Sequence, residues 1–135
     1  MQAGRELKFR AWNPHQNVML GWERLTLLPA CQFLTDNGYK TMQFTGLRDK
    51  NGKDIYEGDI VKTHNQNNIV QYEHSSFMLV GLHEDKYERT YAHLKDYLKD
   101  KTIPDVEGSK YDGITIKLEV IGNIYENPEL LEVGK

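Results

Sequence analysis

The sequence predicts a mainly β fold built from antiparallel hairpins. Apolar and polar residues alternate over short segments, as in ELKFRAWN at residues 6–13 and TMQFTGL at residues 41–47. Turn residues separate such segments, most clearly at Asn51-Gly52. One later segment has helical spacing instead, so we expect an inserted amphipathic helix over about 84–101. A short helical turn is expected at the C-terminus.

Length and composition are those of a globular protein. The 135 residues suit a single domain over 1–135, or two intimately packed β subdomains over about 1–45 and 46–135. Hydrophobic residues make up 39% and charged residues 27%, unlike disordered or membrane proteins. The net charge of −3 gives no general attraction to phosphate backbones or anionic lipid. There is no signal-peptide core and no membrane-spanning stretch, so we expect a cytoplasmic protein without a membrane partner.

The N-terminal segment predicts a hairpin. Residues 6–13 alternate, a turn follows at 14–17, and VMLGWER resumes an extended pattern at 18–24. Lys8, Arg10 and Trp12 fall on one strand face, which makes them the only candidate for a basic groove with a stacking aromatic. The alternative is an ordinary solvated face.

The next segment, TLLPACQFL at residues 26–34, is apolar but interrupted by Pro29. Proline cannot donate to a central ladder, so an edge strand or an irregular crossing is expected. Cys31 lies in this apolar setting and is expected to act as a small core residue. In the following strand, Gly46 is expected to mark a bulge or a close backbone approach.

The central segment FTGLRDKNGKDIYEGDIVKT, residues 44–63, is dense in charge and turn residues. Asn51-Gly52 predicts a type I′ hairpin turn, and Glu57-Gly58 a second tight turn. Four carboxylates occur here, which raises the alternative of a metal-dependent hydrolase or nuclease using Asp49, Asp54, Glu57 and Asp59. An EF-hand loop does not fit, because the sixth residue from Asp49 is Asp54 and the twelfth is Ile60. We interpret these acids as solvated turn charge.

Three strands and then a helix are predicted from the end of the central segment onward. DIVKTH, NIVQYEH and FMLVGL are spaced as a meander. Tyr87, Tyr91, Leu94 and Leu98 then recur at helical spacing on the predicted 84–101 helix. This stripe is expected to dock on the chain's own sheet, or to contact another subunit or partner, with Tyr87 and Tyr91 as the candidate contact residues.

The C-terminal segment ITIKLEVIGNIYENPELL predicts a strand, a bend at Gly122-Asn123 and a helical turn. Asn127 is expected to cap that turn, with Pro128 at the first helical position. The sequence contains no Gly-rich phosphate loop, GxSxG, HExxH or CxxC motif. We therefore assign no catalytic, cofactor-binding or metal-binding residues and expect no cofactor.

Three segments resemble the YopX family of phage and prophage proteins. They are ELKFRAWN, MQFTGLRDKNGKDIYEGDIVK and EVIGNIYENPELL, in the order of the family's characteristic blocks. The resemblance implies barrel-like β parts, a bacterial or phage genomic context and a homo-oligomer. It implies no established activity, so no functional residue is carried over.

Two classes of function follow. The first is a non-enzymatic binding or assembly module, contacting protein or nucleic acid through a β surface or the tyrosine-bearing helix. A nucleic-acid-binding small β barrel is a variant of it. The second is the metal-dependent hydrolase or nuclease, which requires the central carboxylates to converge.

Overall fold

The computed structural model describes residues 6–35, 38–63, 66–82, 91–94 and 118–132. Its strands are β1 (Phe9–Asn13), β2 (Val18–Leu20), β3 (Lys40–Arg48), β4 (Asp54–Tyr56), β5 (Asp59–Thr63), β6 (Gln66–Glu73), β7 (Ser76–Gly81), β8 (Tyr91–His93) and β9 (Glu119–Asn123). A four-stranded sheet has the order β2-β1-β3-β4, and a five-stranded sheet has the order β8-β7-β6-β5-β9. The strand pairs are antiparallel, and one of the two sheets curls into a half-barrel. The predicted mainly β fold is confirmed.

The predicted N-terminal hairpin is confirmed, but its second strand is shorter than expected. β2 ends at Leu20, and the chain then forms the short helices α1 (Trp22–Leu25) and α2 (Ala30–Phe33). The extended pattern predicted through residues 22–24 was wrong, and of the two alternatives for residues 26–34 the edge strand is absent. Their helical turns bury Leu25 and Phe33 against the first sheet, and this packing outweighs the local extended pattern. Cys31 is exposed, so its expected place in the core was also wrong.

The described residues form two apolar cores. Ala11, Leu20, Leu25 and Phe33 form the core of the first sheet. The second core is larger and consists of Ile55, Val61, Val70, Leu79, Leu94, Leu118 and Val120, so that β4 of the first sheet contributes Ile55 to it. The chain passes from one sheet to the other at the Glu57-Gly58 turn. The predicted boundary between two subdomains, at about residue 45, lies within β3. The division into domains stays a prediction.

The two predicted irregularities of β3 and its hairpin have different outcomes. Gly46 has a φ of +88°, and the register of β3 against β4 shifts between Phe44 and Arg48, as the predicted bulge requires. The next turn is not type I′, because Gly52 is at a φ of +82° whereas Asn51 is not at positive φ. Asp49 and Lys53 close a three-residue loop in which Gly52 N–H donates to the Asp49 carbonyl at 2.9 Å. A single left-handed residue is enough for this longer loop.

The predicted meander is present as β5, β6 and β7. His74 and Ser75, both at positive φ, form the two-residue turn between β6 and β7. The predicted helix over 84–101 was wrong at Tyr91–His93, which form β8 and pair with Met78–Val80 of β7. Pairing with the open edge of β7 outweighs the helical periodicity. Residues 83–90 and 95–117, including Tyr87 and Leu98, lie outside the described residues.

The C-terminal segment forms β9 and then a 3₁₀ helix at Pro128–Leu131. The predicted helical turn is therefore confirmed, but Asn127 makes no side-chain capping bond to it. Instead, Asn127 Oδ1 accepts a hydrogen bond from the Asn123 N–H at 3.2 Å, which closes the preceding turn. No helix within the described residues is long and apolar enough to cross a membrane.

Candidate functional site

The acids of the central segment organise the backbone. Asp49 is 1% exposed, and its Oδ1 accepts hydrogen bonds from the N–H groups of Asn51 and Lys53, both at 2.9 Å. Its Oδ2 accepts the Val120 N–H at 2.9 Å, and the Lys50 N–H donates to the Leu118 carbonyl at 3.0 Å. The β3–β4 loop thereby attaches to the outer edge of β9. Asp49 joins the two sheets.

Asp59 and Glu57 have similar roles at the second turn. Asp59 is also 1% exposed; its Oδ2 accepts the Tyr56 N–H at 2.8 Å, and its Oδ1 lies 2.7 Å from Arg10 Nη2. Glu57 Oε1 accepts the N–H of Gln43 at 2.8 Å. Burial raises the pKa of Asp59, although Arg10 and the Tyr56 N–H act in the opposite direction. Our interpretation of all these acids as solvated charge was wrong for Asp49 and Asp59.

The three predicted groove residues share the expected strand face, but the cations on it are paired. Lys8 Nζ lies 2.5 Å from Asp54 Oδ2 and 4.5 Å from the centre of the Phe44 ring. Burial lowers the pKa of Lys8, but the hydrogen bond and the charge of Asp54 outweigh this effect, and the net change is a rise. The Lys8 side chain is only 15% exposed. Lys8 is therefore a mostly buried, paired cation and does not line an open basic groove.

Arg10 is enclosed in a similar way. Besides Asp59, its Nη2 contacts the Glu57 carbonyl at 3.1 Å, and its guanidinium carbon lies 4.8 Å from the centre of the Tyr56 ring. Its Nε is buried and has no hydrogen-bond partner among the described residues. Burial raises the pKa of Tyr56, an effect that Lys8 and Arg10 oppose. The cation therefore links β1 to the turn and to β5.

Trp12, the third predicted groove residue, stacks on Tyr125. Their ring centres are 5.7 Å apart, and the ring planes differ by 14°. Burial raises the pKa of the Tyr125 phenol, Arg10 opposes that rise and the Glu57 carboxylate adds to it. Tyr91, the remaining described candidate, pairs through its backbone with Val80. Among the predicted residues, Trp12 is thus the one that contacts the lining of a cleft, through Tyr125.

That cleft lies where the two sheets meet, and we call it the intersheet cleft. It has a volume of about 320 Å³. Its described lining consists of Thr41, Met42, Glu57, Gly58, Ile69, Val70, Gln71, Tyr72, Glu73, Ile124 and Tyr125. Sequence reasoning missed it, since its residues come from four separate segments without a shared motif. One available signal was Tyr72, a large aromatic beside the polar end of β6.

The central carboxylates do not converge as a metal-dependent reaction would require. Asp49 faces β9, Asp54 contacts Lys8 and Arg48, and Asp59 contacts Arg10. Among the described residues, no three His, Cys, Asp or Glu side chains are grouped so that they could hold a metal ion. The arrangement instead supports backbone geometry and contact between sheets.

Similarity to known proteins identifies the family of the chain. No curated protein matches the chain. The crystal structure of protein EF1440 from Enterococcus faecalis is similar at 22% identity and a TM-score of 0.47, covering 96% of this chain and 100% of that one. The family model described as YopX protein matches residues 8–132. The chain therefore belongs to the YopX family, as its three characteristic segments predicted.

Proposed function

We propose that the protein is a non-enzymatic binding module that holds a protein partner in the intersheet cleft. The single observation that carries this proposal is the chemistry of the cleft. Its described lining combines aliphatic side chains with Tyr72, Tyr125 and two carboxylates, within a volume of about 320 Å³. The exposed lining is more polar than apolar and carries two tyrosines, and tyrosine is enriched in protein recognition sites.

The pairing of the cations favours a protein partner over a nucleic acid. Lys8 and Arg10 are each in contact with a carboxylate, so binding of a phosphate backbone would have to displace Asp54 and Asp59. Displacing Asp59 would also leave a buried carboxylate without its cation, which is costly. The net charge of −3 does not favour phosphate binding either.

The geometry gives less support to a hydrolase or nuclease. The carboxylates that such an enzyme would use accept hydrogen bonds from backbone N–H groups or contact cations, as Asp49 and Asp59 show. Metal-assisted hydrolysis needs carboxylates directed at one shared position. We therefore place this alternative behind the binding module.

The biological setting belongs to the same proposal. The characteristic YopX segments support a phage or prophage origin, a bacterial cytoplasmic location and self-association. Neighbouring genes will test the origin, since a prophage protein is expected among other phage genes. Light scattering of the purified protein will test self-association, and a mass equal to that of one chain would contradict it.

The binding proposal is tested with matched variants. Tyr72→Ser changes an exposed cleft residue, and Leu27→Ser changes an exposed residue of the α1–α2 segment outside the described lining. Each immobilised protein is incubated with extract of the bacterial host. We expect a protein that both wild type and Leu27→Ser retain and Tyr72→Ser does not.

Nucleic acids form the second arm of the same experiment. Labelled single-stranded DNA, duplex DNA and RNA are added with Mg²⁺ at low and moderate salt. We expect neither cleavage nor salt-sensitive binding. Cleavage of any oligonucleotide, or binding that weakens steeply with salt, would contradict the proposal.

A further inference from the structure

We propose that the partner enters the intersheet cleft as an extended peptide segment bearing lysine or arginine, and that it pairs with the end of β6. This inference rests on the proposed function and names the partner's chemistry. Two independent observations carry it: the backbone of β6 at the cleft and the charge of the lining residues.

Strand β6 extends beyond the strand on one of its sides. It pairs with β7 over Asn68–Glu73, but with β5 only over Gln66–Ile69. The Gly58 N–H reaches the Val70 carbonyl at 2.8 Å and completes the pairing at that point. Residues 71–73 continue past the end of β5 and line the cleft. We call these three residues the β6 overhang.

The hairpin geometry determines which way the backbone of the overhang faces. In the two-residue turn at His74-Ser75, Glu73 and Ser76 are the closing pair and exchange hydrogen bonds. Alternation then directs the N–H and C=O of Tyr72 away from β7, to the same side as the Val70 carbonyl. Among the described residues, none pairs with the Tyr72 backbone on that side. An added strand can form two main-chain hydrogen bonds there.

The lining selects a cationic peptide. Glu57 and Glu73 contribute negative charge, while Lys and Arg are missing from the described lining. Arg10, the cation that acts on Tyr125, is in contact with Asp59. Tyr72 is 54% exposed, and its ring provides a face for a cation. A lysine or arginine side chain beside the overhang therefore gains charge and aromatic contacts together.

The probe is a capped peptide of about seven residues in which valine alternates with lysine. Its counterpart carries glutamate at each lysine position. Each is titrated into the full-length, ¹⁵N-labelled protein at low salt. We expect the lysine peptide to bind at least tenfold more tightly and to shift the amide signals of Tyr72 and Glu73. Added salt is expected to weaken binding, because the charges are partly exposed.

Variants and a modified peptide separate charge from strand addition. Glu57→Gln and Glu73→Gln are each expected to weaken binding of the lysine peptide about three- to tenfold. Glu23→Gln removes the same charge from an exposed position on α1 and is expected to have no effect. N-methylation of alternate peptide amides removes the main-chain donors and is expected to weaken binding at least tenfold.

Three results would overturn the inference: equal binding of both peptides, amide shifts outside the cleft, and full binding of the N-methylated peptide. The proposed function fails separately. If the lysine peptide does not bind but Tyr72→Ser still loses a partner from extract, the cleft is a binding site for another chemistry. If Tyr72→Ser also retains every partner, both proposals are wrong.

Discussion

At the scale of single residues, the buried carboxylates accept hydrogen bonds from the backbone, a role that the density of charge in the sequence did not predict. Asp49 accepts three backbone hydrogen bonds, from Asn51, Lys53 and Val120. Its two oxygen atoms therefore satisfy donors of the loop and of β9 at the same time. Buried donors without partners cost about 1–3 kcal/mol each, so one side chain supports a large part of this junction.

Substitutions of Asp49 are expected to show a graded loss of stability. Asp49→Ala removes all three acceptor contacts and should lower the free energy of unfolding by about 3 kcal/mol. Asp49→Asn keeps one acceptor oxygen and should cost about 1–2 kcal/mol. Urea unfolding measures both, with exposed Glu23→Ala as the control, expected within about 0.5 kcal/mol of wild type. Equal stability of Asp49→Ala and wild type would contradict this role.

Asp59 should give the protein a specific pH dependence. Burial raises its pKa in the folded state above the ordinary value of 3.8. The folded state then holds the proton more tightly than the unfolded state. The contribution of Asp59 to stability is full below about pH 3.8 and declines as the pH rises through the raised pKa.

The test compares wild type with Asp59→Asn in urea from pH 3 to pH 7. The variant lacks this titration, so the stability of wild type minus that of the variant should fall as the pH rises. A difference that grows with pH would show that pairing with Arg10 outweighs burial and lowers the pKa.

At the scale of elements, the turns decide which sheet each strand joins. The Glu57-Gly58 turn ends β4 in the first sheet and starts β5 in the second. Gly58 also donates to the Val70 carbonyl and accepts from the Ile124 N–H at 2.9 Å. The turn is therefore both a bend and a point of attachment. Gly52, in the other turn of the central segment, has an equal φ of +82° but open space around it.

These two glycines allow strain and packing to be separated. Gly52→Ala should cost about 1 kcal/mol, because only the left-handed backbone opposes the added Cβ. Gly58→Ala should cost about 2–4 kcal/mol, because its Cβ would also lie 3.0 Å from Met42 Sδ. Thermal or urea unfolding of both variants gives the difference. Equal losses would show that Met42 moves aside freely.

At the scale of the whole molecule, the two sheets are connected by polar contacts through the interior. Arg10 of β1 contacts Asp59 of β5, and Asp49 contacts β9. Disruption of the junction is therefore expected to affect the stability of both sheets.

A double-mutant cycle tests the connection. Arg10→Met leaves Asp59 buried without its cation and should cost about 3 kcal/mol. The double variant Arg10→Met/Asp59→Asn should cost less than the sum of the single variants by at least about 1 kcal/mol. Unfolding is followed by tryptophan fluorescence, which reports the first sheet, and by circular dichroism. Additive losses would show that the two residues act independently.

The sequence alone determined most strands, the positions of most turns and the family. The alternation of apolar and polar residues, the positions of glycines and the three characteristic segments are all local signals. It placed Lys8, Arg10 and Trp12 on one face and Gly46 at a bulge correctly. Tertiary structure decided that Tyr91–His93 pair with β7 and that Asp59 neutralises Arg10. It also decided that four distant segments enclose a cleft. Such contacts join residues that are far apart in the chain. Their free energies cannot be read from a local sequence pattern.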